Sequence, residues 1–272
     1  MNIKEDNKNI DLAIFDEEHL PIISKKIKNK KLLNAHLFVD TGINRNGVPY
    51  ENGLETAIKI SKNPKMKLIG LMSHLCCDNN KKISELQIEL LRSLRNKMLE
   101  LNIKPELTHI ANTVGSIKYD VSDFDLSRVG IGCFGLLENK NLEPVISLDS
   151  KIIQLKYIKK GEGIGYDRTY IATRKKRIAI IPIGYGDILP FVKSETITVD
   201  VNNSKRKVLG KESMDQIVIE AKEEDKLGDI VRIFGPKKEG YSKDVIQLAK
   251  TCNIESFRML LHLSNDIKRV YK

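Results

Sequence analysis

Residues 67–101 read KLIGLMSHLCCDNNKKISELQIELLRSLRNKMLEL, a short apolar run, a polar link and a long amphipathic stretch. The run KLIGLM at 67–72 has the length of a buried strand. From 82 to 101, Ile83, Leu86, Leu90, Leu91, Leu94, Met98 and Leu101 recur at three and four residues, which predicts a helix with one apolar face. On the N-terminal side, residues 35–39 form another apolar run, ending at Asp40, and 54–61 have helical spacing. On the C-terminal side, 107–110 and 129–132 are further strand candidates. Strand, helix and strand in this rhythm predict βαβ units and a parallel sheet. A βα unit takes about 30 residues and a closed eight-unit barrel about 250. Residues 1–147 therefore hold four or five units, an open α/β sheet or a partial (β/α) barrel of the TIM type.

Beyond residue 147 the texture changes. Five runs rich in isoleucine and valine, at 152–158, 178–183, 197–201, 217–221 and 230–234, predict strands. Asn202-Asn203-Ser204 is a hairpin turn between two of them. One helix is expected, at 243–250, with Ser242 as its N-cap. The expected domains are thus 1–147, α/β, and 148–272, mostly β.

The bulk properties exclude several function classes. The 272 residues are 41% hydrophobic, enough for a sizeable core, and carry a formal charge of +10. That charge is diffuse, as pairs such as Lys25-Lys26, Lys81-Lys82 and Lys237-Lys238 show, with no basic stripe interleaved with aromatics. A solvated lysine-rich surface is expected, and no nucleic acid. Cys76, Cys77, Cys133 and Cys252 form no CxxC pair, so neither a disulfide framework nor a metal site is expected. There is no signal-peptide pattern at the start and no apolar run reaching the roughly 18 residues of a membrane span. A cytoplasmic protein that does not contact membranes is expected.

Several polar clusters directly follow apolar runs, which in barrels and open α/β sheets is the functional rim. They are Asp40–Asn46 with Gly47, Ser73-His74, Asn112-Thr113, and Arg128 with Gly130 and Gly132. A lone histidine at a strand end is more often structural, and paired glycines more often mark a turn. Four such clusters in one half of the chain favour function, with backbone amides able to receive phosphate. In the second half, Tyr166 lies between two strand candidates, Tyr185 follows one and Met214-Asp215 precede another. Packing at a domain seam remains an alternative for the two tyrosines.

Seven segments in order resemble the alanine racemase family: DTGINRNGV (40–48), GLMSHL (70–75), ANTVGS (111–116), RVGIGCFG (128–135), GEGIGYDRTYIA (161–172), IPIGYGD (181–187) and VLGKESMDQIVIE (208–220). The resemblance implies an N-terminal (β/α)₈ barrel, a C-terminal β domain and a homodimer with active sites at the seam. It implies a pyridoxal phosphate enzyme that interconverts L- and D-alanine, supplying D-alanine for the cell wall, with one lysine and one tyrosine as opposing bases. By motif, Tyr166 is the tyrosine base, given by the neighbouring subunit and assisted through His74 and Arg128. Arg128 also faces the pyridine nitrogen. Asn112, Thr113, Gly130, Ile131 and Tyr185 match cofactor-contacting positions. Arg45 and Met214 match substrate-carboxylate positions, and Asp215 the entry gate.

Four departures stand out. No K-A-x-A-Y-G-like segment, which carries the family's Schiff-base lysine, occurs in the sequence. Phe38 occupies a position where many members have a carbamylated lysine that orients the arginine matching Arg45. GYGDILP at 184–190 replaces GYxDGxxR, and SNDIKRVYK at 264–272 follows the family ending loosely. The expectation is an N-terminally truncated, split or late-started alanine racemase, inactive alone, partnered by itself or by a second chain supplying the remaining barrel units. A non-catalytic dimerising remnant and a racemase for another small amino acid such as serine are the alternatives.

Overall fold

The computed structural model describes residues 10–27, 32–76, 80–188 and 195–271. Cys77, Leu189 and Pro190 lie outside them. The chain divides into two compact units, one through Gly130 and one from Ile131.

In the first unit β1 (Leu12–Ile14), β2 (Leu33–Asp40), β4 (Met66–Met72) and β5 (Leu107–His109) lie side by side in that order, all parallel. The short β3 (Val48–Pro49) pairs with the end of β2. A parallel bridge between Asn112 and Arg128 extends the pairing by one position. The segment expected as a strand at 129–132 does not continue it. Ile131–Phe134 is a 3-10 turn, because Leu136 and Gly135 bond back to Ile131 and Gly132.

Three helices follow the strands: α1 (His19–Lys26), α2 (Gly53–Ser61) and α3 (Lys81–Glu100), with a single turn more in α4 (Thr113–Lys118). On α2 the buried positions Gly53, Thr56, Ala57 and Ile60 fall at the spacing of one helical face. On α3 the buried face is Ser84, Gln87, Ile88, Leu91, Leu94 and Met98. This corrects the expected face: Ile83, Leu86 and Leu101 are exposed. The helix is rotated so that Gln87 enters the interior, where its amide is fully engaged at the rim described below.

The second unit is antiparallel. One sheet runs β13 (Ile217–Glu220), β10 (Lys176–Ile181), β7 (Gln154–Ile158). The other runs β12 (Ser204–Lys207), β11 (Thr198–Val201), β14 (Ile230–Phe234), β6 (Leu148–Lys151). The small pair β8 (Gly163–Ile164) and β9 (Tyr170–Ile171) stands apart. Residues 152–158 were expected as one strand. The chain instead divides it, since Ile152 turns inward between β6 and β7 to join the core. Asn202 and Asn203, with φ of 49° and 58°, make the two-residue turn between β11 and β12. The polar strand β12 carries no hydrophobic alternation. Its Arg206 is held inside by Asp225 through bonds of 2.8 and 3.1 Å.

Two helices close this unit, α5 (Val245–Thr251) and α6 (Ser256–Leu261). The N-cap of α5 is Asp244, not Ser242: Asp244 and Gln247 form a reciprocal capping box, while the Ser242 amide donates to Asp200. The first strand begins at Leu148, but the contact boundary lies earlier than 147/148. Leu136 is part of the second core, with Ile131 and Ile146 against it.

Candidate functional site

Because the strands of the first unit are parallel, their C-terminal ends share one edge. Asp40, Ser73-His74, Ile110–Thr113 and Arg128 all arrive there. After β2 the chain turns sharply, since the Asp40 carboxylate accepts from the amides of Gly42 and Ile43 at 2.8 and 2.9 Å. Arg45 stands exposed in this loop and takes no part in the bonds below. Phe38 is buried in β2.

Arg128 is the centre of the rim. Its backbone is fixed by a bond from its amide to the Ala111 carbonyl. Its guanidinium donates through Nη2 to the Ser73 carbonyl at 2.6 Å, to His74 Nδ1 at 3.1 Å and to the Ile110 carbonyl at 3.4 Å. Nη1 donates to His109 Nδ1. A guanidinium offers only donors, so both imidazoles must present an acceptor to it. This fixes a chain of tautomers. His109 Nδ1 accepts, so its Nε2–H donates to His36 Nδ1 at 3.0 Å. His36 Nε2–H then faces the Asp11 carboxylate at 3.7 Å. The relay Arg128–His109–His36–Asp11 thus runs in one direction.

Burial pushes His109 down to about pH 4, reinforced by the Arg128 cation and by His36. His109 is therefore neutral at pH 7, as acceptance from Arg128 requires. Burial also lowers the pKa of Arg128. The unfolded chain binds a proton at this histidine near pH 6.5, whereas the folded chain takes it only near pH 4. Between those values the unfolded state holds more protons, so stability falls as pH drops through the window and levels off below it. The loss is on the order of 3 kcal/mol. Urea unfolding between pH 7 and 4 checks this: His109→Asn, which keeps an acceptor toward Arg128, should flatten the slope, and an unchanged slope contradicts it.

Around this centre, Thr41 Oγ1 and Ser73 Oγ lie 2.7 Å apart. Gln87 ties three elements together, donating to Thr41 Oγ1 at 3.3 Å and to the His74 carbonyl at 3.0 Å while accepting from the Cys76 amide at 3.0 Å. Asn112 caps α4 by accepting from the Gly115 amide at 2.8 Å. The Gly130 amide donates to Thr113 Oγ1 at 3.1 Å. A Cβ built on Gly130 meets nothing within 4 Å, so the backbone there faces open space.

The second unit gathers its own group. The Tyr185 and Gly186 amides donate to the Ser213 and Met214 carbonyls at 3.1 and 2.8 Å. The Gly184 amide donates to Asp187 at 2.8 Å. Tyr185, Met214 and Asp215 therefore share one locked pair of turns. Tyr166 begins a 3-10 turn and is 69% exposed. Its neighbour Asp167 pairs with Lys211, tying that turn to the same 208–216 segment.

His74, Arg128, Asn112, Thr113 and Gly130 lie at this one edge of the sheet. Tyr185, Met214 and Asp215 are brought together separately. Asp11, His36, Gln87 and His109 were not singled out from the sequence. His36 and His109 lie inside apolar runs, where no local signal marked them. Among the described residues no three His, Cys, Asp or Glu side chains could hold a metal ion. No helix among them is long and apolar enough to cross a membrane.

A parallel barrel-type sheet with a half-buried arginine–histidine relay at its C-terminal edge, followed in the sequence by an antiparallel β domain, defines a two-unit α/β protein of barrel-plus-β-domain type. Residues 2–138 match the model of the alanine racemase N-terminal domain and 145–271 that of the C-terminal domain. The chain belongs to the alanine racemase family, a family of isomerases. It is 32% identical to the alanine racemase of Borreliella burgdorferi strain ZS7 over 290 aligned positions, covering 100% of this chain and 77% of that protein. It is 28% identical to that of Helicobacter pylori strain J99, over 97% of this chain and 74% of the relative. Among solved structures, alanine racemase from Clostridium difficile 630 matches with TM-score 0.83 at 25% identity, over 97% of this chain and 71% of that one. The enzyme from D-cycloserine-producing Streptomyces lavendulae matches in fold with TM-score 0.87 at 22% identity, over 96% and 72%.

Proposed function

We propose that this chain carries the pyridine side, the phosphate side and the tyrosine base of a pyridoxal phosphate site for racemising alanine. The observation that carries the reading is the immobilised Arg128. Nη1 and Nη2 are held by two carbonyls and two imidazoles, and Nε–H takes no part in those bonds. A guanidinium so fixed keeps its charge and still has a donor for a ring nitrogen. The open backbone at Gly130, beside the Thr113 hydroxyl, fits a phosphate. The residues present therefore fit the group.

Pyridoxal phosphate, when bound, withdraws electrons from the α-carbon of an amino acid and so acidifies its Cα–H. Arg128 orients the ring and, being a fixed cation, disfavours a proton on the pyridine nitrogen. By their match to the family's motifs, Thr113, Gly130 and Ile131 contact the phosphate, and Asn112 and Tyr185 are further cofactor-contacting positions. Arg45 receives the substrate carboxylate together with the Met214 backbone of a second copy of the chain, and Asp215 matches the entry gate. Tyr166, reaching the rim from a second copy of the chain, takes and returns the Cα proton on one face. A free tyrosine titrates near pH 10, so it needs help, which His74 and Arg128 supply. The 272 residues contain no K-A-x-A-Y-G-like segment. The base for the other face is therefore not among them, and by themselves they do not complete the racemisation.

Gly130→Val tests the phosphate side. A Cβ there meets nothing within 4 Å, so the fold is expected to survive while the cradle is filled. Titrating the chain with pyridoxal phosphate, followed by absorbance, should show affinity falling about tenfold, equivalent to about 1.4 kcal/mol. Equal binding by the two proteins would contradict the assignment.

A further inference from the structure

We propose that Gly70 is a positioning residue: the missing side chain in the middle strand lets His36 cross β4 to grip His109, and so steadies Arg128. The strand order β2–β4–β5 puts His36 and His109 on opposite sides of β4. Adjacent strands are about 4.8 Å apart, so two strands flanking a third are separated by about 10 Å. Yet His36 Nδ1 and His109 Nε2 meet at 3.0 Å, with ring centroids 5.2 Å apart. The imidazoles must therefore pass over β4. His36 pairs in register with Gly70, and His109 with Met72.

The space above Gly70 is already taken. A Cβ there would lie 1.9 Å from His36 Nδ1 and 2.4 Å from both Cγ and Cε1. Nδ1 is the atom that accepts from His109. Gly70 does not have the left-handed φ that favours glycine. Its backbone conformation does not call for glycine; its neighbour's ring does. The pairing step from Ala35↔Leu68 to His36↔Gly70 leaves Ile69 as an extra residue in β4. That irregularity is what sets Gly70, and not a bulky neighbour, opposite His36.

The steadying of Arg128 matters for racemisation only if the reading of Arg128 above is right, and for that reason the test is made without cofactor. Four proteins are compared: the chain, Gly70→Ala, His36→Ala and the double variant. Because all three nearest atoms at this position belong to His36, Gly70→Ala should lower Tm by about 5–10 °C in the parent. In the His36→Ala background the same change should cost little, since alanine suits a strand at ordinary φ. If Gly70→Ala alone fails to fold, recovery of folding in the double variant is the same result. A second readout is the ring ¹⁵N titration of His109, which a merely structural glycine would not move. Its titration should move in Gly70→Ala, because His36 no longer accepts from its Nε2–H. An equal thermal penalty in both backgrounds, or an unmoved His109 titration in folded Gly70→Ala, would overturn the proposal. A failure of pyridoxal phosphate to bind would leave both readouts as they are.

Discussion

Arg128→Ala is expected to destabilise the chain by about 3 kcal/mol or more, from two or more buried acceptors left without donors at about 1–3 kcal/mol each. The guanidinium serves the Ser73 and Ile110 carbonyls, His74 and His109 at once. One opposing effect must be subtracted. Burial disfavours the Arg128 cation, and that cost vanishes with the side chain. The unsatisfied acceptors outweigh it because the Ser73 and Ile110 carbonyls and His109 all receive from this one side chain, and water cannot reach His109, which is 4% exposed. Arg128→Lys should fall between, since an ammonium is a compact charge without the planar fork that spans several acceptors. Urea unfolding of the three proteins at pH 7 measures the difference. The His109 titration supplies a second signature: without the neighbouring cation, its protonation moves to higher pH. A loss below about 0.5 kcal/mol, the size of an ordinary surface change, would mean that Arg128 does not organise this rim.

Much of the architecture could be read from periodicity. Strands β2, β4 and β5, helix α2 and the mostly β texture after 147 follow from runs of apolar residues and their spacing. Helix α3 was legible in extent but not in orientation. Leucines at 86 and 101 advertise a face that the fold leaves to solvent, while Gln87, polar in sequence, is 1% exposed. Its burial is decided by partners 11 and 46 residues away, Cys76 and Thr41, which no local pattern encodes. β12 was illegible for the same reason: Arg206 looks like a surface residue until Asp225 is brought to it. At the rim, polar residues after strand ends identified His74, Asn112, Thr113 and Arg128. His36 and His109 escaped because they sit within strands, and their link depends on what is absent at Gly70. The family motifs marked Tyr166, Tyr185, Met214 and Asp215, whose exposure alone would have said little.

The second large effect concerns catalysis. Alanine racemisation needs a proton acceptor on one face of Cα and a donor on the other. On the function proposed above, Tyr166 serves one face. The other is left to water, because none of the 46 Lys and Arg residues lies in a K-A-x-A-Y-G-like segment. A positioned acid–base group is typically worth about 10²–10⁴-fold, and loss of cofactor registry costs more. The 272-residue chain alone is therefore expected to form D-alanine at least about 10²-fold more slowly than a chain with both bases. The competing possibility is that another lysine takes over. The purified chain with pyridoxal phosphate and L-alanine is reduced with borohydride and mapped for a cofactor-bearing lysine. D-alanine is followed in parallel for the chain and for Tyr166→Phe. The account predicts no fixed lysine and no D-alanine that depends on Tyr166; a mapped lysine adduct together with turnover abolished by Tyr166→Phe would contradict it.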